Sequence, residues 1–244
     1  MKKTILPFLF LSLGITLCSC EKEDEGDKID ETTGFSKKLS YDLALHFSFD
    51  NESITDLSSN GFGGIATPGV EYVSDTPNNK GKAISIDGTM KQYVNVPYDI
   101  SGDSVNYTVS LWIKDFGTGV IFANCEASTG TGGYTVGSPS LYVNSNGTLT
   151  IYHGFAYSPE KKTMNYDVSP YQSSGWHMLT LTGHRKQGMV SLYFDGNLCD
   201  VMECYYIRFS GRKFQIGGNG DGHIRDWADP MLIDNFRVYR RCLS

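Results

Sequence analysis

Tyr107-Thr108-Val109-Ser110-Leu111-Trp112-Ile113-Lys114 sets Val109, Leu111 and Ile113 on one side of an extended chain. That two-residue period marks a strand with one core face and one wetter face. The alternation recurs at Leu179 and Leu181, and again at Val190, Leu192 and Phe194. Around these stretches, runs rich in Val, Ile, Tyr, Phe and Thr are broken by Gly, Asn, Asp and Pro. They predict strands over 42–49, 82–87, 93–96, 107–114, 120–125, 140–143, 148–153, 177–183, 190–194, 205–209, 213–216 and 232–239. No stretch sustains a helical period for three turns. Asn144-Ser145-Asn146-Gly147 reads as the turn between the strands at Leu141 and Leu149, and Asp195-Gly196-Asn197 as the turn after Phe194. About a dozen antiparallel strands in one domain imply two packed sheets, because a single open sheet would leave its apolar face bare. The expected fold class is therefore all-β, a two-sheet antiparallel sandwich.

The chain opens on Met1-Lys2-Lys3 and an apolar run from Ile5 to Leu17, the charged start and short apolar stretch of a secretory signal, too short to span a bilayer. The run closes on Leu17-Cys18-Ser19-Cys20. This resembles the bacterial lipobox, in which a small residue precedes a cysteine that is acylated and becomes the mature N-terminus. Residues 1–19 are thus expected to be a lipoprotein signal peptide and Cys20 the lipid attachment site; a plain secretory signal with an incidental cysteine is the alternative. Residues 20–40 follow as a tether: from Glu21 to Gly34 the one large apolar residue is Ile29, too little to offset the entropy of ordering. Acidic residues directly behind the cysteine resemble the surface-export signal of Bacteroidetes lipoproteins, which implies an outer-membrane, lipid-anchored, outward-facing protein. A merely soluble spacer is the plainer reading. Cleavage removes Lys2 and Lys3 and no acid, so the formal charge of −6 becomes −8. With no basic stripe, nucleic acid is not an expected partner. Residues 41–244 are long enough for one well-cored domain. They hold Cys125, Cys199, Cys204 and Cys242, which allow two disulfides in an oxidising compartment, Cys199–Cys204 being a local option. No C-x-x-C pair points to a cysteine metal site.

Several pieces of the domain resemble the laminin G-like, concanavalin A-like lectin domains in composition and order. They are Leu45-His46-Phe47-Ser48-Phe49-Asp50 with Asp56-Leu57-Ser58-Ser59-Asn60-Gly61, and then Gly81-Lys82-Ala83-Ile84-Ser85-Ile86-Asp87-Gly88. After the 107–113 stretch come Gly175-Trp176-His177-Met178-Leu179-Thr180, Leu192-Tyr193-Phe194-Asp195-Gly196 and Ile233-Asp234-Asn235-Phe236-Arg237-Val238-Tyr239-Arg240. The resemblance implies a jelly-roll sandwich. That family usually continues past its last strand with an acidic helical turn, whereas this sequence stops at Cys242-Leu243-Ser244, so a barer end to the final strand is expected. Trp112 and Trp176 lie inside strand-like runs and read as packing residues rather than sugar platforms. Such motifs build the sandwich and say little about its ligand.

Three kinds of chemistry merit a place. The resemblance implies a calcium ion between an acidic residue after the first strand and one in the last, here Asp50 and Asp234, with Asn51 and Asp56 as neighbours. Asp234 shares strand parity with Phe236 and Val238 and is expected to point coreward. A carboxylate there needs a partner, Ca2+ or backbone N–H groups with Arg237 or Arg240. A glycan site wants an aromatic platform ringed by polar side chains. Two regions have that mixture: Gly217 to Trp227, with Asn219, His223, Arg225, Asp226 and Trp227, and the stretch from His153 to Tyr171, with Tyr157. For catalysis, neither an E-x-D-x-x-E strand nor a G-x-S-x-G elbow occurs, and the five histidines show no triad or metal spacing. The expected function is a surface-anchored, non-catalytic carbohydrate-binding lipoprotein. A protein-binding adhesion or scaffold module is the alternative, and a glycoside hydrolase or lyase the third reading.

Overall fold

The apolar alternation of the sequence becomes strand pairing almost everywhere it was strong. The computed structural model describes residues 39–100, 106–126, 135–155, 158–204, 213–219 and 226–243. In chain order the strands are β1 (Leu43–Phe47), β2 (Ile65–Ala66), β3 (Glu71–Val73), β4 (Ala83–Ile86), β5 (Val94–Val96), β6 (Tyr107–Lys114), β7 (Gly119–Glu126), β8 (Thr135–Val143) and β9 (Thr148–Phe155). They continue with β10 (Ser158–Asp167), β11 (His177–His184), β12 (Met189–Phe194), β13 (Asn197–Glu203), β14 (Lys213–Ile216), β15 (Gly218–Asn219), β16 (Asp226–Trp227) and β17 (Met231–Tyr239). An eight-stranded sheet runs β13-β12-β11-β6-β17-β4-β3 with β1 also on β17, and a seven-stranded sheet runs β10-β9-β8-β7-β14-β5-β2. All pairings are antiparallel, and the two sheets form a jelly-roll sandwich.

The core fills the space between the inner faces. Val109, Leu111, Ile113, Leu179, Leu181, Val190 and Leu192 are fully buried from one sheet, and Val94, Val96, Leu141, Leu149 and Ile151 from the other. Phe122 and Phe214 of the seven-stranded sheet stack at 5.5 Å, and Phe236 of the other sheet meets Phe214 at 5.4 Å, so three rings tie the layers together. The turn between β12 and β13 has two residues, Asp195 (φ 51) and Gly196 (φ 75). Positive φ at both centres is the geometry that matches strand twist in a tight hairpin. Asn144 accepts from Gly147 N at 2.9 Å and closes β8 onto β9 as expected.

Besides the two- and three-residue strands β2, β3, β15 and β16, two long strands escape the sequence pattern, β10 and β13, and each is an outermost strand of its sheet. β10 reads SPEKKTMNYD and β13 holds one buried residue, Met202. Charge, proline and weak alternation are how edge strands avoid pairing with other chains. Because Asn197–Glu203 is extended, Cys199 and Cys204 stand roughly 16 Å apart along the strand; this corrects the local pairing, and no disulfide joins the two. The expected strand 205–209 lies outside the described residues.

Candidate functional site

Three of the residues singled out for calcium fall in different circumstances. Asp56 is buried, and its carboxylate accepts from His46 N at 2.9 Å, Ser58 N at 2.8 Å, Ser58 Oγ at 2.7 Å and Phe62 N at 3.0 Å. Asn60 Nδ2 adds bonds to Leu43 O and Ala44 O, at 3.0 and 3.1 Å. The Asp-x-Ser-x-Asn stretch therefore staples the loop after β1 back onto that strand, and Asp56 needs no cation to be satisfied.

Asp234 sits at an irregularity. Its expected coreward direction is overturned by a bulge: Ile233 faces Ile113 and Asp234 faces Trp112, but two residues of β17, Asn235 and Phe236, then oppose the single Leu111 of β6 before Arg237 meets Ser110. Asn235, at φ 48, is the inserted residue. A bulge shifts parity by one, so Ile233 and Phe236 share the core while Asp234 and Arg237 share the outer face with Trp112. Asn235 binds its neighbours on both sides. Its N and Nδ2 donate to Asp234 Oδ1 at 2.6 and 3.2 Å, and its Oδ1 accepts from Arg237 at 2.9 Å and lies 3.3 Å from His46 Nε2. β1 and β4 flank β17 end to end on the side away from β6, and Asp50 arrives at that junction, accepting from Lys82 N at 3.3 Å.

The electrostatics mark this cluster. Asp234 is 2 % exposed, and burial, with the nearby Asp50 charge adding to it, pushes its carboxyl up to about 6. Burial, and then Arg237, holds the His46 imidazole below its ordinary value. Two carboxylates, an amide and two basic groups thus meet on the outer face of the eight-stranded sheet, a cluster of shifted groups of the kind found at binding sites. His46 and Asn235 went unnoticed in the sequence because only the bulge brings them to Asp234. Among the described residues no group of three or more His, Cys, Asp or Glu is placed to hold a metal ion.

The Gly217–Trp227 segment is fixed across the other sheet. Gly217 N donates to Ile121 O at 3.0 Å and Asp229 N to Thr118 O at 2.8 Å. Between these anchors Gly218 pairs with Trp227 and Asn219 with Asp226, and the pair lies against β7. Val120, Ala123 and Tyr142 are buried there as a second apolar cluster on the outer face, with Tyr152 5.1 Å from Tyr142. For Asn219, Asp226 and Trp227 the backbone is described; His223, Arg225, Tyr157 and Cys20 lie outside the described residues. Trp176 serves the edge, as expected, its indole donating to Asp75 at 2.8 Å beside Lys114. Trp112 instead faces outward, next to Asp234. An open depression of about 430 Å3 lies among Asp115, Phe116, Thr118, Gln172, Ser173 and Asp229.

Comparison with known proteins agrees with this architecture. The Laminin_G_3 family, the concanavalin A-like lectin/glucanases superfamily, matches residues 87–244. No curated protein sequence matches the chain. Among solved structures, the binding domain of Paraclostridial Mosquitocidal Protein 1 superposes with a TM-score of 0.61 at 18% identity over 84% of this chain and 50% of that one. The receptor binding domain of botulinum neurotoxin D gives 0.62 at 14% identity over 84% and 51%. Botulinum neurotoxin type C, whose cell entry is dependent upon interaction with two ganglioside molecules, gives 0.60 at 17% identity over 86% and 50%. The chain spans about half the length of these solved chains, and the likeness is one of fold. By its sandwich and by the match over most of its length, the chain belongs to the Laminin_G_3 family of the concanavalin A-like lectin/glucanases superfamily.

Proposed function

We propose that the chain is a carbohydrate-binding lipoprotein, held at the outer face of an outer membrane by a lipid on Cys20 and the acidic tether of residues 20–40. The observation that carries the reading is the stitching of the Gly217–Trp227 segment over β7. The two ends of this segment are anchored on β7 at 217–219 and 226–229, and its composition of Gly, Asn, Asp, Arg, His and Trp is the mixture that lets a flat sugar face meet an indole ringed by hydrogen-bonding groups. The interaction of botulinum neurotoxin type C, half of whose solved chain shares this fold, with ganglioside molecules supports it. The protein acts in capture rather than in cleavage of glycosidic bonds. A glycan array probed with the full chain tests this: binding to a defined glycan class is expected, with affinity about tenfold lower in Trp227→Ala. An array without binding, or one that favours immobilised proteins, replaces it with the adhesion reading.

We also infer that calcium is held by Asp50 and Asp234, its remaining oxygens coming from carbonyl groups and water as is usual for this hard cation. Two adjacent carboxylates, one of them buried and raised to about 6, support this assignment. The cation would supply the charge that these groups otherwise lack and would stiffen the junction of β1, β4 and β17.

A further inference from the structure

Where β11 begins, Ser174, His177 and Asp195 form a line of short hydrogen bonds. Ser174 Oγ lies 2.7 Å from His177 Nε2, and His177 Nδ1 lies 2.8 Å from Asp195 Oδ2. Asp195 is fixed in its turn: its other oxygen accepts from Met178 N and its own N–H donates to Met178 O, both at 2.8 Å. The imidazole is held by Phe194 at 5.3 Å and Tyr171 at 5.1 Å between ring centroids. With the carboxylate on Nδ1, that nitrogen carries the ring proton. In that tautomer Nε2 is the acceptor for the Ser174 hydroxyl, at a shorter distance than the hydroxyl's other acceptor, Tyr171 O at 3.3 Å.

A purely structural clamp between β11 and the β12–β13 turn uses Nδ1 and Asp195 alone; it has no need of a hydroxyl on Nε2. The serine is exposed, whereas the His177 side chain is only 13% exposed. This is the disposition of an accessible nucleophile backed by an oriented base. Gly175 follows at φ +124, a backbone shape open to glycine, with free space where a Cβ would stand. Its N–H meets no acceptor among the described residues, and so a donor next to the nucleophile is available to a developing oxyanion. The open depression of about 430 Å3 reaches Gln172 and Ser173, immediately before the serine, while Ser174 itself stands at the exposed surface beside it.

We propose that Ser174, His177 and Asp195 form an acyl-transfer site that hydrolyses small, exposed carboxylic esters. Ser174 Oγ bonds to the ester carbonyl carbon while its proton passes to His177 Nε2. Collapse of the oxyanion breaks the bond to the alcohol oxygen, which takes that proton and leaves. Water, losing a proton to Nε2, then attacks the acyl-serine; the carboxylic acid departs and Ser174 regains its proton. Asp195 acts as a positioning residue for the imidazole. The activity stands apart from the carbohydrate reading, which concerns the loop on β7.

The test is covalent. The full chain treated with a fluorophosphonate probe is expected to carry the label on Ser174 in a peptide mass map, and to hydrolyse p-nitrophenyl acetate. Ser174→Ala and Asp195→Asn are expected to lower that turnover by about 100-fold. Ser174→Ala lies at an exposed position and keeps the wild-type melting temperature, so it carries the test even where Asp195→Asn loosens the turn. An unlabelled Ser174 in folded protein, hydrolysis unchanged in Ser174→Ala, or labelling that persists in His177→Gln each overturns the proposal.

Discussion

Asp56 and Asp234 are both buried aspartates beside β1, yet they live in opposite conditions. Four donors from three residues close around the Asp56 carboxylate, while Asp234 receives two, both from Asn235, and faces the charge of Asp50. The first carboxylate makes the loop that surrounds it; the second is tolerated by its surroundings. A buried charge completed by backbone N–H groups is architecture, and one left incomplete on an outer face is available for a ligand.

The widest separation between them should appear on truncation. Asp56→Ala strands three backbone N–H groups and a hydroxyl, and is expected to cost about 4 kcal/mol in chemical denaturation; a loss below about 1 kcal/mol would show that water replaces the carboxylate and would erase the contrast. Asp234→Asn should act in the other direction. Because the folded group titrates near 6 and its ordinary value is 3.8, the folded state holds the proton more tightly, so stability falls as pH rises between these values and the full cost is present above 6. In chelator at pH 7.5 the variant is expected to be more stable by up to about 3 kcal/mol and to lose that pH slope. A slope that survives the substitution assigns it to another group. Calcium reverses this sign. At a hundredfold excess over Kd it should raise wild-type stability by about 2.7 kcal/mol, and Asp234→Asn should abolish the gain. Identical melting temperatures with calcium and with chelator would remove the ion from the site.

The same contrast explains what the sequence made legible. Val109, Leu111 and Ile113 declare their side because alternation needs nothing beyond neighbours in the chain. Asp56-x-Ser-x-Asn was legible as a piece of the family pattern, but its bonds to His46, Ala44 and Leu43 lie 10 to 17 residues away and appear only once the loop folds back on β1. Asp234 was placed on the wrong face because a single inserted residue, Asn235 at φ 48, shifts parity without changing composition. β10 and β13 were invisible for the reason that makes them good edges: proline and charge in β10, and a single buried position in β13. The Ser174–His177–Asp195 line joins residues 3 and 18 positions apart, and only the antiparallel return of β12 after β11 closes that gap.

The centre of the eight-stranded sheet is β17, the last strand in the chain, which pairs with β6, β4 and β1, Leu43 lying opposite Tyr239. A chain delivered N-terminus first cannot complete this sheet strand by strand as it emerges. Until residues 231–239 arrive, β6 and β4 lack the partner that lies between them, β1 lacks its only one among the described strands, and the eight-stranded sheet stays in separate pieces. Folding is thereby deferred to the end of delivery and made slow by the long-range closure it requires. Such a late keystone keeps the strands on either side of it apart until the last residues arrive.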